Sequence, residues 1–239
     1  MSIIPILSTI VTFIFAFSVL NRYRQRKGTH LLLWGIGLVL YGLGTLSEVL
    51  MAITFSPFVL KVWYISGAML TAAWLGQGTV WLLFRKPGFA RVSTYILAAV
   101  SLLSIVLVFM APITGAAASY NTAAPISEQY KEILVRSTPI TILTILLNIY
   151  GTLALVGGAI YSAYLFFRKR VLINRVIGNI LIAAGALFPA MAGSFVGAGI
   201  VDMLYLSELI GVVLMYIGFL QATVHRPVTQ NSATPSAAG

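Results

Sequence analysis

Three ionisable side chains stand where ionisable side chains are costly. Glu48, Lys61 and Glu208 each fall inside a long apolar stretch. Glu48 and Glu208 lie roughly five or six residues in from the nearer helix end, a depth of about 7 Å at 1.5 Å per residue. A charge left alone there costs on the order of 1–3 kcal/mol, and such groups mark functional sites by default. Two carboxyls at one level can accept hydrogen bonds, hold a proton or pair with a cation. Lys61 offers a cation on the neighbouring helix. One reading pairs it with Glu48 and makes the pair a simple lock across a helical hairpin. The other sets Glu48, Lys61 and Glu208 around a pocket open to the outside, with Tyr41, Tyr64 and Trp74 as its floor and Asn148 facing them. Apolar walls with a few convergent polar groups are the usual make-up of a ligand site.

Other chemistries lack their residues. The two histidines, His30 and His225, fall at one membrane edge, so a haem inside a bundle would have no histidine ligands. A retinal Schiff base needs a buried lysine, and the last apolar stretch has none. No Walker loop, HExxH or GxSxG occurs. Absent cysteine removes disulfides and thiolate metal sites. No catalytic residue, metal or cofactor is assigned, and an enzyme is the weaker reading.

The elements that must position these residues are membrane helices. The chain has 239 residues, of which 59% are hydrophobic and 8% charged. A soluble domain carries about 25% charge. Apolar runs of about 20 residues, enough to cross a bilayer, recur along its length. The expected fold is all-α: a polytopic seven-transmembrane-helix bundle with spans at 3–20, 31–53, 58–84, 92–110, 140–167, 176–200 and 203–224. Residues 1–226 form one transmembrane domain, and the small, polar tail 227–239 is expected to be disordered. On the second span, Trp34, Gly37, Tyr41, Thr45 and Glu48 share a helical face. On the third, Lys61, Tyr64, Gly67, Thr71, Trp74, Gln77 and Trp81 do the same. Helix five has a face of Thr141, Thr144, Asn148, Gly151, Leu155, Gly158 and Ser162, suited to close packing. Pro189 would kink helix six and serve as a hinge.

Charge sets the orientation. Twelve of the fifteen basic residues lie in alternate loops: Arg22 to Lys27, Arg85 to Arg91, Arg168 to Arg175, and Arg226. The opposite side has Lys61, Lys131 and Arg136, and all five acids lie toward it. The positive-inside rule then puts the N-terminus outside and the C-terminus in the cytoplasm of an inner membrane. Nucleic acid is not an expected partner; the net charge of +10 belongs to the cytoplasmic face and suits anionic lipid. Basic residues follow the first span, the reverse of a signal peptide, so no cleavage is expected. The outer loop 112–139 holds a candidate short helix at 127–135, with Ser127 as its N-cap and Glu128 in its first turn. It reads either as an ordered connector or as a lid.

Two further patterns bear on function. Tyr64-Ile65-Ser66 with Gln77-Gly78-Thr79-Val80 in helix three is echoed by Tyr205-Leu206-Ser207 with Gln221-Ala222-Thr223-Val224 in helix seven. This would fit a three-plus-one-plus-three parallel repeat, an arrangement known in transporters. The Pro-Gln pair of the sugar-carrier and PQ-loop families is absent. The placement of Trp34, Tyr41, Lys61, Trp63 and Tyr64 over roughly the first 85 residues, within seven spans and an outside N-terminus, resembles the seven-helix sensor regions that precede bacterial histidine kinases. The resemblance implies recognition of a small signal passed to a cytoplasmic output. The residues after Arg226 are expected to hold no kinase domain, so that output would be a separate protein. The expected function is a receptor-like or accessory module that binds a small molecule or a membrane partner. A small-solute transporter is the alternative, and a structural subunit of a membrane complex the third reading.

Overall fold

The computed structural model describes residues 3–84, 87–168, 173–197 and 202–223. Among them the long elements are all helical, and strand pairing is limited to one isolated bridge between Ile113 and Leu134. The helices are α1 (Ile3–Arg26), α2 (Thr29–Met51), α3 (Pro57–Leu83), α4 (Pro87–Met110), the short α5 (Ile126–Ile133), α6 (Thr138–Arg168), α7 (Ile173–Gly197) and α8 (Asp202–Thr223). Six of them, α1, α2, α3, α4, α6 and α8, are long and apolar enough to cross a membrane, which makes the chain a multi-pass membrane protein. The basic residues Arg85, Lys86, Lys169, Arg170 and Arg226, together with His225 and the tail, lie outside the described residues.

Local chemistry fixes the turns. Ser56 caps α3 by accepting from the Val59 N–H, and Pro57 fills the first turn, where its missing N–H costs nothing. The left-handed conformation of Lys27 (φ 54°) ends α1 and allows the tight passage into α2.

The main packing runs in a closed ring. α1 packs on α2, α2 on α3, α3 on α6, α6 on α7, α7 on α8, and α8 returns to α1. The last seam is well furnished. Phe15 meets Tyr216 at 5.0 Å and Phe219 at 5.6 Å, Ser18 Oγ lies 3.1 Å from the Tyr216 hydroxyl, and the Arg22 guanidinium sits over Phe219. α4 stands outside the ring, against α3. Its Val92, Tyr95, Ile96, Leu102, Leu103 and Val106 are exposed, an outward face compatible with lipid.

Small residues set the ring's tightest seams. Gly151 of α6 lies directly on the backbone of α3 at Ala72 and Ala73. Between α7 and α8, a Cβ placed on Gly185 would come within 2.6 Å of the Gly211 carbonyl oxygen, so these backbones are already in contact.

Both α3 and α6 change pitch midway. Residues Tyr64–Leu70 and Leu153–Gly157 are π-helical. Such wide turns are rare, and they leave backbone carbonyls to be satisfied by other donors. In α3 the Thr71 hydroxyl donates to the Ser66 carbonyl (2.7 Å), and Asn148 Nδ2 crosses from α6 to the Ala68 carbonyl (2.8 Å).

The loop between α4 and α6 is folded, not draped. The Thr114 N–H donates to the Ile133 carbonyl (2.9 Å) and the Val135 N–H to the Pro112 carbonyl (3.1 Å), so the loop's two ends are tied together. Ile126, Ile133 and Leu134 are buried in a cluster with Met51, Leu60 and Trp63. This seats α5 across one end of the ring. Its N-cap position is Pro125, two residues earlier than Ser127, the cap expected from the sequence; Ser127 Oγ is buried without a partner. Proline fits here because the helix's first N–H groups need no intrahelical bond.

Candidate functional site

The ring encloses a cavity of about 420 Å³. α2 contributes Tyr41, Thr45 and Glu48, α3 contributes Trp63, Gly67, Ala68 and Thr71, and α6 contributes Asn148, Thr152 and Leu155. α7 adds Ala186 and Pro189, and α8 adds Leu204, Glu208 and Met215. From the loop, Ser127, Tyr130 and Lys131 of α5 close one end. α1 and α4 do not line it. Both π segments reach the wall, through Gly67 and Ala68 in α3 and Leu155 in α6.

Two carboxyl groups face each other in this cavity. Glu48 is 5% exposed, and its Oε1 accepts from Trp63 Nε1 at 3.0 Å. Glu208 approaches from α8 into the same cavity, near enough for the two carboxyls to interact electrostatically. Glu48 Oε2 and Glu208 Oε2 are both buried and receive no hydrogen bond from any other group. The Tyr41 hydroxyl fixes the geometry by donating to the Glu208 backbone carbonyl at 3.0 Å. That bond ties α2 to α8 through a residue about two turns along α2 from Glu48.

The mouth is aromatic. Trp63 and Tyr130 pack tilted against each other at 5.1 Å, and Tyr64 and Tyr130 at 5.7 Å. On its far side Tyr130 carries the Arg136 guanidinium 5.2 Å from its ring. Burial pushes the Tyr130 phenol above its ordinary value, and Arg136 opposes part of that rise. Burial likewise raises Tyr120 in the loop, with the Glu48 charge adding to it. Both therefore keep their hydroxyl protons at neutral pH. A smaller cavity of about 130 Å³ lies on the other side of Glu48, under the loop, between Tyr120, Pro125 and Tyr205. Glu48 lines both spaces, so it forms the partition between them.

The residues expected to ring one pocket divide between two places. Glu48, Glu208, Tyr41, Asn148 and Pro189 meet at the cavity. Lys61 does not: its Nζ donates to the Phe109 carbonyl (2.8 Å) at the end of α4, where it completes a helix C-terminus. The expected Glu48–Lys61 lock is replaced by the Trp63 indole on Glu48. Trp74 also turns to α4, donating to Ser101 Oγ at 3.2 Å. Tyr64 lies behind the wall, its hydroxyl 3.0 Å from Thr144 Oγ1. Pro189 sits inside α7 with its ring against Gly211 of α8.

The sequence reading missed Trp63, Thr71 and Lys131 as cavity residues. The clue for Trp63 was available, since an indole N–H inside a membrane needs an acceptor and Glu48 is the nearest acid in the hairpin. Compared with protein-family models, curated proteins and solved structures, the chain matches none.

Proposed function

We propose that this chain is a seven-helix receptor-like or accessory module of the bacterial inner membrane, with α7 as its further span. It binds a small, partly apolar molecule in the ring cavity from the outer side. The orientation rests on the basic residues of alternate loops, which put the N-terminus and the α5 loop outside and the C-terminus in the cytoplasm. One observation carries the reading: a cavity of about 420 Å³, within the range of small-molecule sites, has apolar walls, two deep carboxyls and a folded helix seated over one end. The π turns in its walls add to this, because such turns gather at functional sites. The resemblance to kinase sensor regions supports signalling through a partner protein, with helices α3, α7 and α8 shifting about Pro189.

Ala68 lines the cavity, no glycine packs on its own side chain, and it tests this reading. Ala68→Phe is expected to fill the space while the bundle still assembles. Native mass spectrometry of the full chain, extracted in mild detergent, should show a small molecule retained by the wild type and absent from the variant. Identical spectra for the two would overturn the reading.

A carrier is the second reading, and the ring order favours it. α1–α2–α3 and α6–α7–α8 pack in the same sequence, and their two seams, α3–α6 and α8–α1, close the ring, while α4 stands aside. A three-plus-one-plus-three duplication would produce this arrangement. Liposomes holding only this protein should take up solute if it is a carrier. Retained binding without uptake would favour the receptor.

A further inference from the structure

We propose that the cavity takes a monovalent organic cation, an ammonium-type head on an apolar body, with the head held at the Glu48–Glu208 pair. The proposal rests on the cavity being a ligand site and names the class of that ligand.

The carboxyl pair calls for a positive partner. Two acid groups that share one cavity inside a poorly polarisable bundle repel each other when both are charged, and one proton held between them relieves that repulsion. With one proton they carry a single negative charge. The two Oε2 atoms receive no donor from the protein, and Glu48 is nineteen-twentieths buried. Among the described residues no lysine or arginine is bonded to either acid. Lys61 is committed to Phe109 and Arg136 lies over Tyr130, while Lys131 is exposed on α5. A cation of charge one therefore makes a neutral complex and supplies the missing donor.

The surroundings fit the rest of such a molecule. The walls at Ala68, Leu155, Ala186 and Met215 are apolar. Trp63 and Tyr130 line the cavity, and aromatic rings attract cations. An anion would meet two acids in the cavity, and a neutral molecule would leave the buried charge without a partner.

The pairing makes binding compete with protons. Below the pH at which the pair loses its second proton, it is neutral and holds the cation weakly. Affinity then rises as pH rises, by up to about tenfold per pH unit, because one proton must leave for each cation bound. The groups facing the pair are Tyr41 on α2, Tyr205 on α8, Tyr120, Glu128, Tyr130 and Lys131 of the loop, and the Trp63 indole on α3. Tyr120 and Tyr130 keep their hydroxyl protons through the range where the competition is read, and Glu128 and Lys131 lie on the exposed face of α5.

Equilibrium dialysis of the full chain in nanodiscs tests this, with radiolabelled 1-adamantylammonium as the cation and 1-adamantanol as a neutral probe of similar size. The expected result is saturable cation binding that strengthens with pH, and an affinity about 10- to 100-fold lower, without pH dependence, in Glu48→Gln/Glu208→Gln. Glutamine keeps the size and the acceptor for Trp63, and the pH slope of the wild type alone gives an answer if the variant fails to fold. If the neutral probe binds as well as the cation and both ignore pH, the cation proposal falls while the cavity stands as a ligand site. If neither probe binds the wild type, the proposal also falls, and the cavity reading is decided separately by the Ala68→Phe comparison.

Discussion

Gly151→Ala is expected to lower the stability of the bundle by about 3 kcal/mol, the upper end of the usual cost of overpacking a core. The added methyl would fall on the carbonyl group of Ala72 in α3. A flexible side chain could move aside, but the obstacle here is backbone. The neighbouring Gly76 contact, where a Cβ would lie 2.8 Å from the Gly151 carbonyl oxygen, would be forced apart with it. Because this seam also carries the Asn148 bond to Ala68, the π segment of α3 should loosen as well. Gly157→Ala is the matched control. It lies in the α6 π segment with nothing within 4 Å of its would-be Cβ, and should change stability by less than about 1 kcal/mol. Thermal unfolding in detergent compares the two. Equal midpoints would mean that α3 and α6 do not approach this closely.

Gln77→Leu is expected to release α4 from the ring. The Gln77 amide is fully buried and donates toward the Ala90 carbonyl (3.1 Å), Ser93 Oγ (2.9 Å) and Thr94 Oγ1 (2.9 Å), while its oxygen accepts from the Tyr150 hydroxyl. One side chain thus joins α3, α4 and α6. Single polar contacts between membrane helices average about 0.6 kcal/mol, but stranding several polar partners together costs more, about 2 kcal/mol here. Trp81 and Trp74 also bond α4, so the helix should loosen without leaving. Hydrogen exchange along Pro87–Met110 should speed up, with α7 and α8 unchanged. Tyr150→Phe added to Gln77→Leu should cost less than the sum of the two changes, since the leucine has already removed the tyrosine's acceptor. Uniform exchange throughout the chain would show that Gln77 is not what fastens α4.

The long helices were legible because hydrocarbon content and length settle that question almost alone, and the break between the spans 31–53 and 58–84 was legible because the signals of a turn, here Ser56 and Pro57, are local. The α6 face was legible too: Thr144, Asn148 and Gly151 all point into the ring, as their spacing required. The long polar stripe of α3 was not. A regular helix carries Lys61, Tyr64, Gly67, Thr71, Trp74 and Gln77 along one gently winding face. The π turn takes in an extra residue, which shifts the phase by about 100° between its two sides. Gly67 and Thr71 therefore face the cavity, whereas Trp74 and Gln77 face α4. Nothing in residue type announces a π turn, so the partners of Lys61 and Trp74 could not be read. Glu48 and Glu208 could be placed at one level, but their contact depends on the last helix meeting the second, which no local pattern encodes.

The α8–α1 seam has a consequence for biosynthesis. Ribosomes deliver the first helix to the membrane long before the last, and the cavity lacks its α8 wall until that helix arrives and Tyr216 meets Phe15. Through most of translation Glu48 therefore sits in a half-built bundle without Glu208, open to lipid and water. Joining the two ends of the chain is also the most entropically demanding closure in the molecule. Nascent chains stalled before α8 should consequently be the form that quality-control proteases recognise, with the orphaned acid of α2 as the mark of an unfinished protein.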